Sequence, residues 1–199
     1  MSSRDVILSR IRDALEGSAP PGPVLRDYRR GGDKADLELL VERLVDYKAV
    51  VHRGAATTVA DTVATIVSGA VVVPPSLDGA WLPAELEVVR DDGTLTADRI
   101  AAADGVVTAA AVAIAETGTI VLDASPDQGR RILSLLPDLH ICVLRPDQVV
   151  AAVPDALPRL DPRRPLTWIS GPSATSDIEL NRVEGVHGPR NLHVILLEE

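Results

Sequence analysis

The chain has 199 residues, a length that suits one hydrophobic core and is short for two. Hydrophobic residues make up 46% of it but aromatic residues only 2%, with no Phe, so the core must be packed from aliphatic side chains, which favours the interior of a parallel α/β protein. The formal net charge of −9 argues against a nucleic-acid partner, which would be bound by clustered Lys and Arg, and no apolar run reaches the roughly 20 residues of a membrane span.

The first 34 residues are predicted to form a separate segment. Apolar residues at helical spacing predict an amphipathic helix over Arg4–Leu15, with Ser2 or Ser3 as its N-cap. Residues 16–33 are rich in Gly and Pro and predict an extended arm, which is either ordered by a partner subunit or simply a mobile leader. We therefore divide the chain into residues 1–34, the N-terminal helix and arm, and residues 35–199, an α/β domain. The N-terminus lacks the apolar stretch of a signal peptide, so we expect a cytoplasmic location.

Helices and strands alternate in the next part of the chain. The predicted helices cover residues 35–47, 57–68 and 96–103, and the predicted strands cover residues 49–52, 69–73 and 86–90. This rhythm predicts right-handed crossovers and an open, mostly parallel sheet flanked by helices. The loop 74–81 follows a strand, where such sheets commonly bind ligands, and its Trp81 is either part of a site or a lid that packs on the core.

A long apolar tract follows. It predicts two paired strands, Val106–Ala115 and Gly118–Leu122, joined at Glu116, Thr117 and Gly118. A carboxylate in so apolar a stretch is costly unless it is exposed in a crevice, hydrogen-bonded or functional. Glu116 is therefore a candidate catalytic residue, and the alternative is an exposed turn residue before a glycine.

Residues 126–135 are predicted to form a polar loop that contains Arg130 and Arg131. An arginine pair can hold a carboxylate or a phosphate bidentately, although most such pairs are solvated surface. A strand over His140–Leu144 and a helix over Pro146–Val153 are predicted to follow.

The sequence offers no metal or cluster site. None of the four histidines stands at a metal-ligand spacing such as His-Glu-x-x-His. Cys142 is the one cysteine, and a single thiolate cannot hold an iron–sulfur cluster, which ordinarily takes four cysteines. We expect no cofactor in this chain, so any redox cluster would belong to a partner, and we expect Cys142 to be a buried small hydrophobe.

The clearest sign of a site is the loop between two predicted strands, Leu166–Ser170 and Asn191–Leu197. Gly171 and Pro172 end the first strand, because proline cannot donate to a β-ladder. The loop then supplies hydroxyl and carboxyl groups at Ser173, Thr175, Ser176 and Glu179. The last two have the spacing of a capping box, and the amino end of a helix that begins here could bind an anion.

His187 is the second candidate catalytic residue. It lies between Gly185 and Gly188, where little side-chain cover would bring an imidazole to the surface. Histidine titrates near neutrality, so His187 could accept a proton during a reaction.

Four stretches in the second half of the chain carry a family resemblance. They are Ala115–Leu122, Arg131 with Leu136, Pro137, His140 and Ile141, Gly171–Glu179, and Gly185–Pro189. Their order and spacing resemble the LUD-domain family, of the lactate utilisation protein C type. Ser176 stands where this family more often has alanine, and Ala174 where a basic residue is frequent. The resemblance implies a fold like that of NagB, RpiA and the CoA transferases, and a bacterial role in oxidising L-lactate to pyruvate with two partner proteins that carry iron–sulfur clusters.

The leading hypothesis is a non-cluster subunit of a cytoplasmic lactate-oxidising system that binds a small carboxylate or anionic ligand. Glu116 and His187 are its predicted catalytic residues, with His187 as the base. Its predicted ligand-binding residues are Thr117, Gly118, Thr119, Arg131, Gly171, Ser173, Thr175, Ser176, Glu179 and Gly188.

Two other classes of function stay open at this point. One is a stand-alone acyl-transfer or ligase-like enzyme in which Glu116 attacks an activated acyl group, suggested by analogy of fold. The other is a ligand-binding regulatory module without chemistry of its own. A homo-oligomer is compatible with each of the three.

Overall fold

A computed structural model describes residues 2–19, 22–27, 34–175, 183–184 and 188–198. Its helices are α1 (Ser3–Leu15), α2 (Leu37–Asp46), α3 (Val59–Ile66), α4 (Ala97–Ala101) and α5 (Val153–Ala156). Its strands are β1 (Val50–Gly54), β2 (Ala70–Val73), β3 (Glu87–Arg90), β4 (Gly105–Thr108), β5 (Val112–Ile114), β6 (Thr119–Leu122), β7 (Leu139–Leu144), β8 (Val149–Val150), β9 (Thr167–Ile169), β10 (Ala174–Thr175), β11 (Val183–Glu184) and β12 (Asn191–Leu197).

The central sheet is parallel throughout. In the described part of the chain it has six strands, in the order β1-β12-β7-β4-β2-β3. Its inner strands β4 and β7 are buried almost along their whole length, which is why they read as continuous apolar runs. The prediction of an open, mostly parallel sheet flanked by helices is confirmed, and β12 begins and ends where the sequence predicted.

A second sheet was not predicted. Among the described residues it has four strands in the order β8-β5-β6-β9, in which β5 and β6 form an antiparallel hairpin. The single predicted strand over Val106–Ala115 is therefore wrong, because the chain leaves the central sheet after Thr108 and enters the second sheet at Val112. Strands β4 and β5 are both fully buried, so the apolar run shows no alternation of apolar and polar residues that would mark where the chain passes from one sheet to the other.

Two further expectations about strands and helices need correction. The helix predicted over Pro146–Val153 is a 3-10 turn over Pro146–Gln148 followed by β8, because the β-branched Val149 and Val150 pair with β5 instead of continuing a helix. The strand predicted over Leu166–Ser170 exists as β9 but is not buried. It lies at an edge of the second sheet and leaves the Trp168 side chain 42% exposed.

The two sheets share one hydrophobic core, which helix α2 completes. Leu40 and Leu44 of α2 pack with Ile120 of β6 and with Cys142 and Leu144 of β7. Successive side chains of a strand point to opposite faces, so the residue two positions before Cys142 also faces the second sheet. That residue is histidine.

The other face of the central sheet packs against helix α3. Val59 and Val63 of α3 contact a cluster that includes Ile141 and Val143 of β7. Trp81 joins this cluster and is only 8% exposed, so the loop that carries it covers the core. Of the two environments predicted for Trp81, the structure shows the lid on the core.

Helix α1 lies outside these cores. Of the two predicted N-caps, Ser2 and Ser3, the structure shows Ser2. The Ser2 hydroxyl accepts a hydrogen bond of 3.2 Å from the Asp5 amide, and the Ser2 amide donates to the Asp5 carboxylate at 3.0 Å. None of its residues is buried, and Ile7, Ile11 and Leu15 stay exposed. Neither α1 nor any other helix among the described residues has the length and apolar character needed to cross a membrane.

Candidate functional site

A cavity of about 270 Å³ lies beside the amino ends of β7 and β12. The second residues of these strands, His140 and Leu192, line it, and β9 with the following Ser170 lines it from the second sheet. The 3-10 turn Arg131–Ser134, which leads into β7, contributes Arg131. The cavity therefore lies where the two sheets meet and collects residues that are far apart in the sequence.

Arg131 is an unpaired cation at this cavity. Its side chain is exposed and has neither a hydrogen bond nor an ion pair with any described residue. The Ser134 hydroxyl donates to the Arg131 carbonyl oxygen at 3.2 Å, which fixes the turn that carries it. No Asp or Glu is found among the described residues that line the cavity. A free guanidinium without a competing carboxylate is suited to bind an anion.

The neighbouring Arg130 has a different role. Its Nε and Nη2 atoms donate to the two carboxylate oxygens of Asp91 at 2.9 and 2.7 Å, and Nη2 also donates to the Leu95 carbonyl at 3.1 Å. The Asp91 side chain is only 2% exposed, and its hydrogen bonds from Arg130 hold its pKa below the usual range of a carboxyl group. Arg130 therefore stabilises the fold through its ion pair with Asp91, whereas Arg131 is free to bind a ligand.

This division gives a test of stability. We expect Arg130→Gln to lower the free energy of unfolding by about 2 kcal/mol, because Asp91 would lose its ion pair; the cost stays below that of a fully buried pair since water reaches Arg130. Arg131→Gln should change it by less than about 0.5 kcal/mol. Urea unfolding of both variants at pH 7 measures the difference. Equal losses would contradict the separate roles of the two arginines.

His140 is the functional candidate that sequence reasoning missed. It is 1% exposed, and its Nε2 atom is hydrogen-bonded to the Thr108 hydroxyl at 2.8 Å. Burial lowers the pKa of His140 to about 4, so the ring is neutral at pH 7. The available signal was a polar residue inside an apolar strand, which is costly unless the side chain has a partner or a function.

The hairpin between β5 and β6 reaches the cavity indirectly. Glu116 is exposed at the turn of this hairpin and is not among the described residues that line the cavity. The Thr117 hydroxyl donates to the Thr119 hydroxyl at 2.8 Å, which is hydrogen-bonded to the Ser170 hydroxyl at 2.9 Å. Because Ser170 lines the cavity, these hydroxyls connect the hairpin to its wall.

Two of the predicted glycines fix this arrangement against the end of helix α2. Gly118 and Gly171 have φ angles of +59° and +85°, in the left-handed region that favours glycine. A Cβ atom would lie 2.6 Å from the Cβ of Arg43 if built at Gly118, and 2.5 Å from the Cβ of Tyr47 if built at Gly171. Gly118 therefore positions the hairpin, and Gly171 positions the loop at the cavity.

Two loop segments that line the cavity are joined by a backbone hydrogen bond. The Ser173 amide donates to the Pro189 carbonyl at 2.8 Å, and Ser173 and Gly188 both line the cavity. Thr175 belongs to β10, which pairs with β11. A short strand thus occupies residues 174–175, just before the point where the sequence suggested the start of a helix.

The remaining predicted site residues are Ser176, Glu179 and His187, and they lie outside the described residues. The catalytic roles assigned to Glu116 and His187 stay predictions. Four of the predicted ligand-binding residues line one cavity: Arg131, Gly171, Ser173 and Gly188. Three others belong to the β5–β6 hairpin, which contacts the cavity residue Ser170 through the Thr119 hydroxyl: Thr117, Gly118 and Thr119.

The described residues contain no group of three or more His, Cys, Asp or Glu side chains that could hold a metal ion. Cys142 is buried, as predicted, and burial raises the pKa of its thiol to about 12. It is therefore a packing residue and a poor nucleophile.

The chain is similar to a known domain family and to proteins of several bacteria. The LUD domain family model matches residues 32–197. Lactate utilization protein C of Deinococcus radiodurans is 44% identical over 201 residues, which cover 96% of this chain and 93% of that protein. Lactate utilization protein C of Bacillus licheniformis is 33% identical over 101 residues, which cover 47% of this chain and 42% of that protein.

A solved structure shares the fold. The crystal structure of a DUF162 family protein from Deinococcus radiodurans superposes with a TM-score of 0.72 at 40% sequence identity, and the match covers 81% of this chain and 96% of that chain. The family match and the 44% identity both span nearly all of the α/β part of the chain. The chain therefore belongs to the LUD domain family.

Proposed function

We propose that this protein takes part in lactate utilisation by binding a small carboxylate in the cavity between its two sheets. The observation that carries this proposal is the unpaired Arg131 guanidinium at a cavity without a described acidic residue. In a chain with a net charge of −9, such a position is suited to an anionic ligand and not to a cation.

The dimensions and the lining of the cavity agree with a small ligand. Its volume of about 270 Å³ lies below the roughly 300–1,000 Å³ of pockets for drug-sized molecules. The Ser170 hydroxyl can hydrogen-bond a carboxylate beside Arg131, while Leu135 and Leu192 can cover a short alkyl group.

The metabolic setting is inferred from relatives. The two relatives described above are named lactate utilization protein C. L-Lactate is accordingly the carboxylate that we assign to the cavity. Oxidation of lactate to pyruvate releases two electrons, and Cys142, the single cysteine of this chain, cannot hold an iron–sulfur cluster. We therefore assign the clusters to partner proteins and the carboxylate-binding step to this chain.

Trp168 provides a direct measurement of binding. It is one of the two tryptophans of the chain, lines the cavity and is 42% exposed, whereas Trp81 is buried in the core. We expect L-lactate to change the fluorescence of the wild type, and Arg131→Gln to weaken binding roughly 10- to 100-fold through loss of a charge-assisted hydrogen bond.

Two variants are the controls. Arg163→Gln removes a side chain that is 88% exposed and does not line the cavity, so it should leave the affinity unchanged. Trp168→Phe should abolish the fluorescence change, which identifies the reporter. Unaltered lactate binding in Arg131→Gln, or no saturable binding to the wild type by fluorescence and calorimetry, would refute the proposal.

A further inference from the structure

The imidazole of His140 has one nitrogen in use and one available. Nε2 is hydrogen-bonded to the Thr108 hydroxyl at 2.8 Å, while Nδ1 has no hydrogen bond to any residue within the described ranges. No fully enclosed side-chain nitrogen or oxygen in that part of the chain lacks a hydrogen-bond partner. The Nδ1 atom must therefore keep some access to solvent, and the cavity that the ring lines provides that access.

This arrangement leaves Nδ1 open to a ligand. Since Nδ1 makes no hydrogen bond to a described residue, its partner must come from the cavity, as a water molecule or as a ligand group. The buried residues that line the cavity are His140, Leu192, whose side chain is apolar, and Ser134, whose hydroxyl already donates to the Arg131 carbonyl oxygen. Thr108 is itself fully buried and fixes the ring, so the available nitrogen is held in one orientation.

We propose that His140 is a specificity-determining residue that hydrogen-bonds the 2-hydroxyl group of the ligand while Arg131 binds its carboxylate. The inference rests on the proposed function and adds a substrate class to it: short 2-hydroxymonocarboxylates are bound in preference to the same acids without the hydroxyl group.

A neutral imidazole suits a hydroxyl group better than a carboxylate. The Thr108 hydroxyl can either donate to Nε2 or accept from it, so Nδ1 is correspondingly a donor or an acceptor. A ligand hydroxyl can do both and is satisfied in either case. A site built to hydrogen-bond a hydroxyl group discriminates against the analogue that lacks it, because the polar group of the protein is then left unpaired.

The experiment compares L-lactate with propionate, which has the same carbon chain and carboxylate but no hydroxyl group. We expect wild-type protein to bind L-lactate roughly 10- to 100-fold more tightly than propionate, as measured by Trp168 fluorescence and calorimetry. His140→Gln retains a polar group near the position of Nε2 and removes the one at Nδ1, so it should reduce this ratio to near 1. Propionate affinity should change little.

A matched variant separates ligand contact from a purely structural role. His140→Asn places its amide near the position of Nδ1 and gives up the contact with Thr108, so it should retain part of the preference for L-lactate. Thr108→Val frees the ring and should give an intermediate ratio. Circular dichroism and urea unfolding establish that each variant is folded. The comparison of L-lactate with propionate on the wild type does not depend on whether any variant folds.

The outcomes separate this inference from the proposed function. Equal wild-type affinities for L-lactate and propionate would overturn the role of His140 and leave carboxylate binding by Arg131 intact. A wild-type preference that persists in folded His140→Gln would also overturn it. Failure of both acids to bind would remove the proposed function and this inference together.

Discussion

The Gly171→Ala variant is expected to be less stable than the wild type by about 3 kcal/mol, the sum of two separate costs. At a φ of +85° any side chain strains the backbone by about 1–2 kcal/mol. The added Cβ would also lie 2.9 Å from the Tyr47 carbonyl oxygen, and such overpacking costs about 1–3 kcal/mol when the neighbour is backbone.

Gly93→Ala is the matched control. Gly93 has a similar φ of +91°, but a Cβ atom there would meet nothing within 4 Å. It should show the strain alone, about 1–2 kcal/mol. Urea unfolding of both variants isolates the close approach of Gly171 to helix α2. If the two losses were equal, the contact between Gly171 and Tyr47 would not be rigid in solution.

The same substitution should affect the cavity. Gly171 lines the cavity between Ser170 and Ser173, and relief of the clash must move this loop away from α2. We therefore expect weaker L-lactate binding in Gly171→Ala and wild-type binding in Gly93→Ala. The comparison links the packing of one glycine to the geometry of the proposed ligand site.

The parallel sheet was predictable because its strands are short, β-branched and separated by helical patterns. The strands predicted over Gly69–Val73 and Asn191–Leu197 correspond to β2 and β12 of the structure. The second sheet was not predictable by this route. Val112–Ile114 is buried on every side, and a run without alternation does not show to which sheet it belongs.

The site shows the same limit. The sequence indicated the Gly171–Ser173 loop and Arg131, since turn residues and arginines are local signals. It did not show which of two adjacent arginines is free, because the partner of Arg130 is Asp91, 39 residues away. The partner of His140 was hidden for the same reason, since its contact with Thr108 spans 32 residues.

Mild acid should destabilise the protein through its buried histidine, His140. The pKa of His140 falls from 6.5 to about 4 on folding. Its contribution to stability is therefore fully present above pH 6.5 and is lost as the pH falls through about 4. The expected loss is about 2 kcal/mol at pH 5 and about 3 kcal/mol at pH 4. Burial also lowers the pKa values of His52 and His193, which adds to the loss in the same direction.

The histidines dominate the window between pH 6.5 and 4.5, since the contribution of Glu38, whose pKa is lowered from 4.5 by its hydrogen bonds from Arg53, is lost only below it. Asp91 and Asp138 have pKa values lowered by their arginine partners, so their contributions are lost mainly below the ordinary carboxyl value of 3.8. Urea unfolding at intervals across the window gives the slope of stability against pH. In His140→Gln the loss of stability between pH 7 and pH 5 should be smaller by most of the expected value of about 2 kcal/mol, because among the described histidines His52 and His193 are the ones that still titrate. If His140→Gln and the wild type lost the same stability over this pH range, burial would not lower the pKa of His140 in solution.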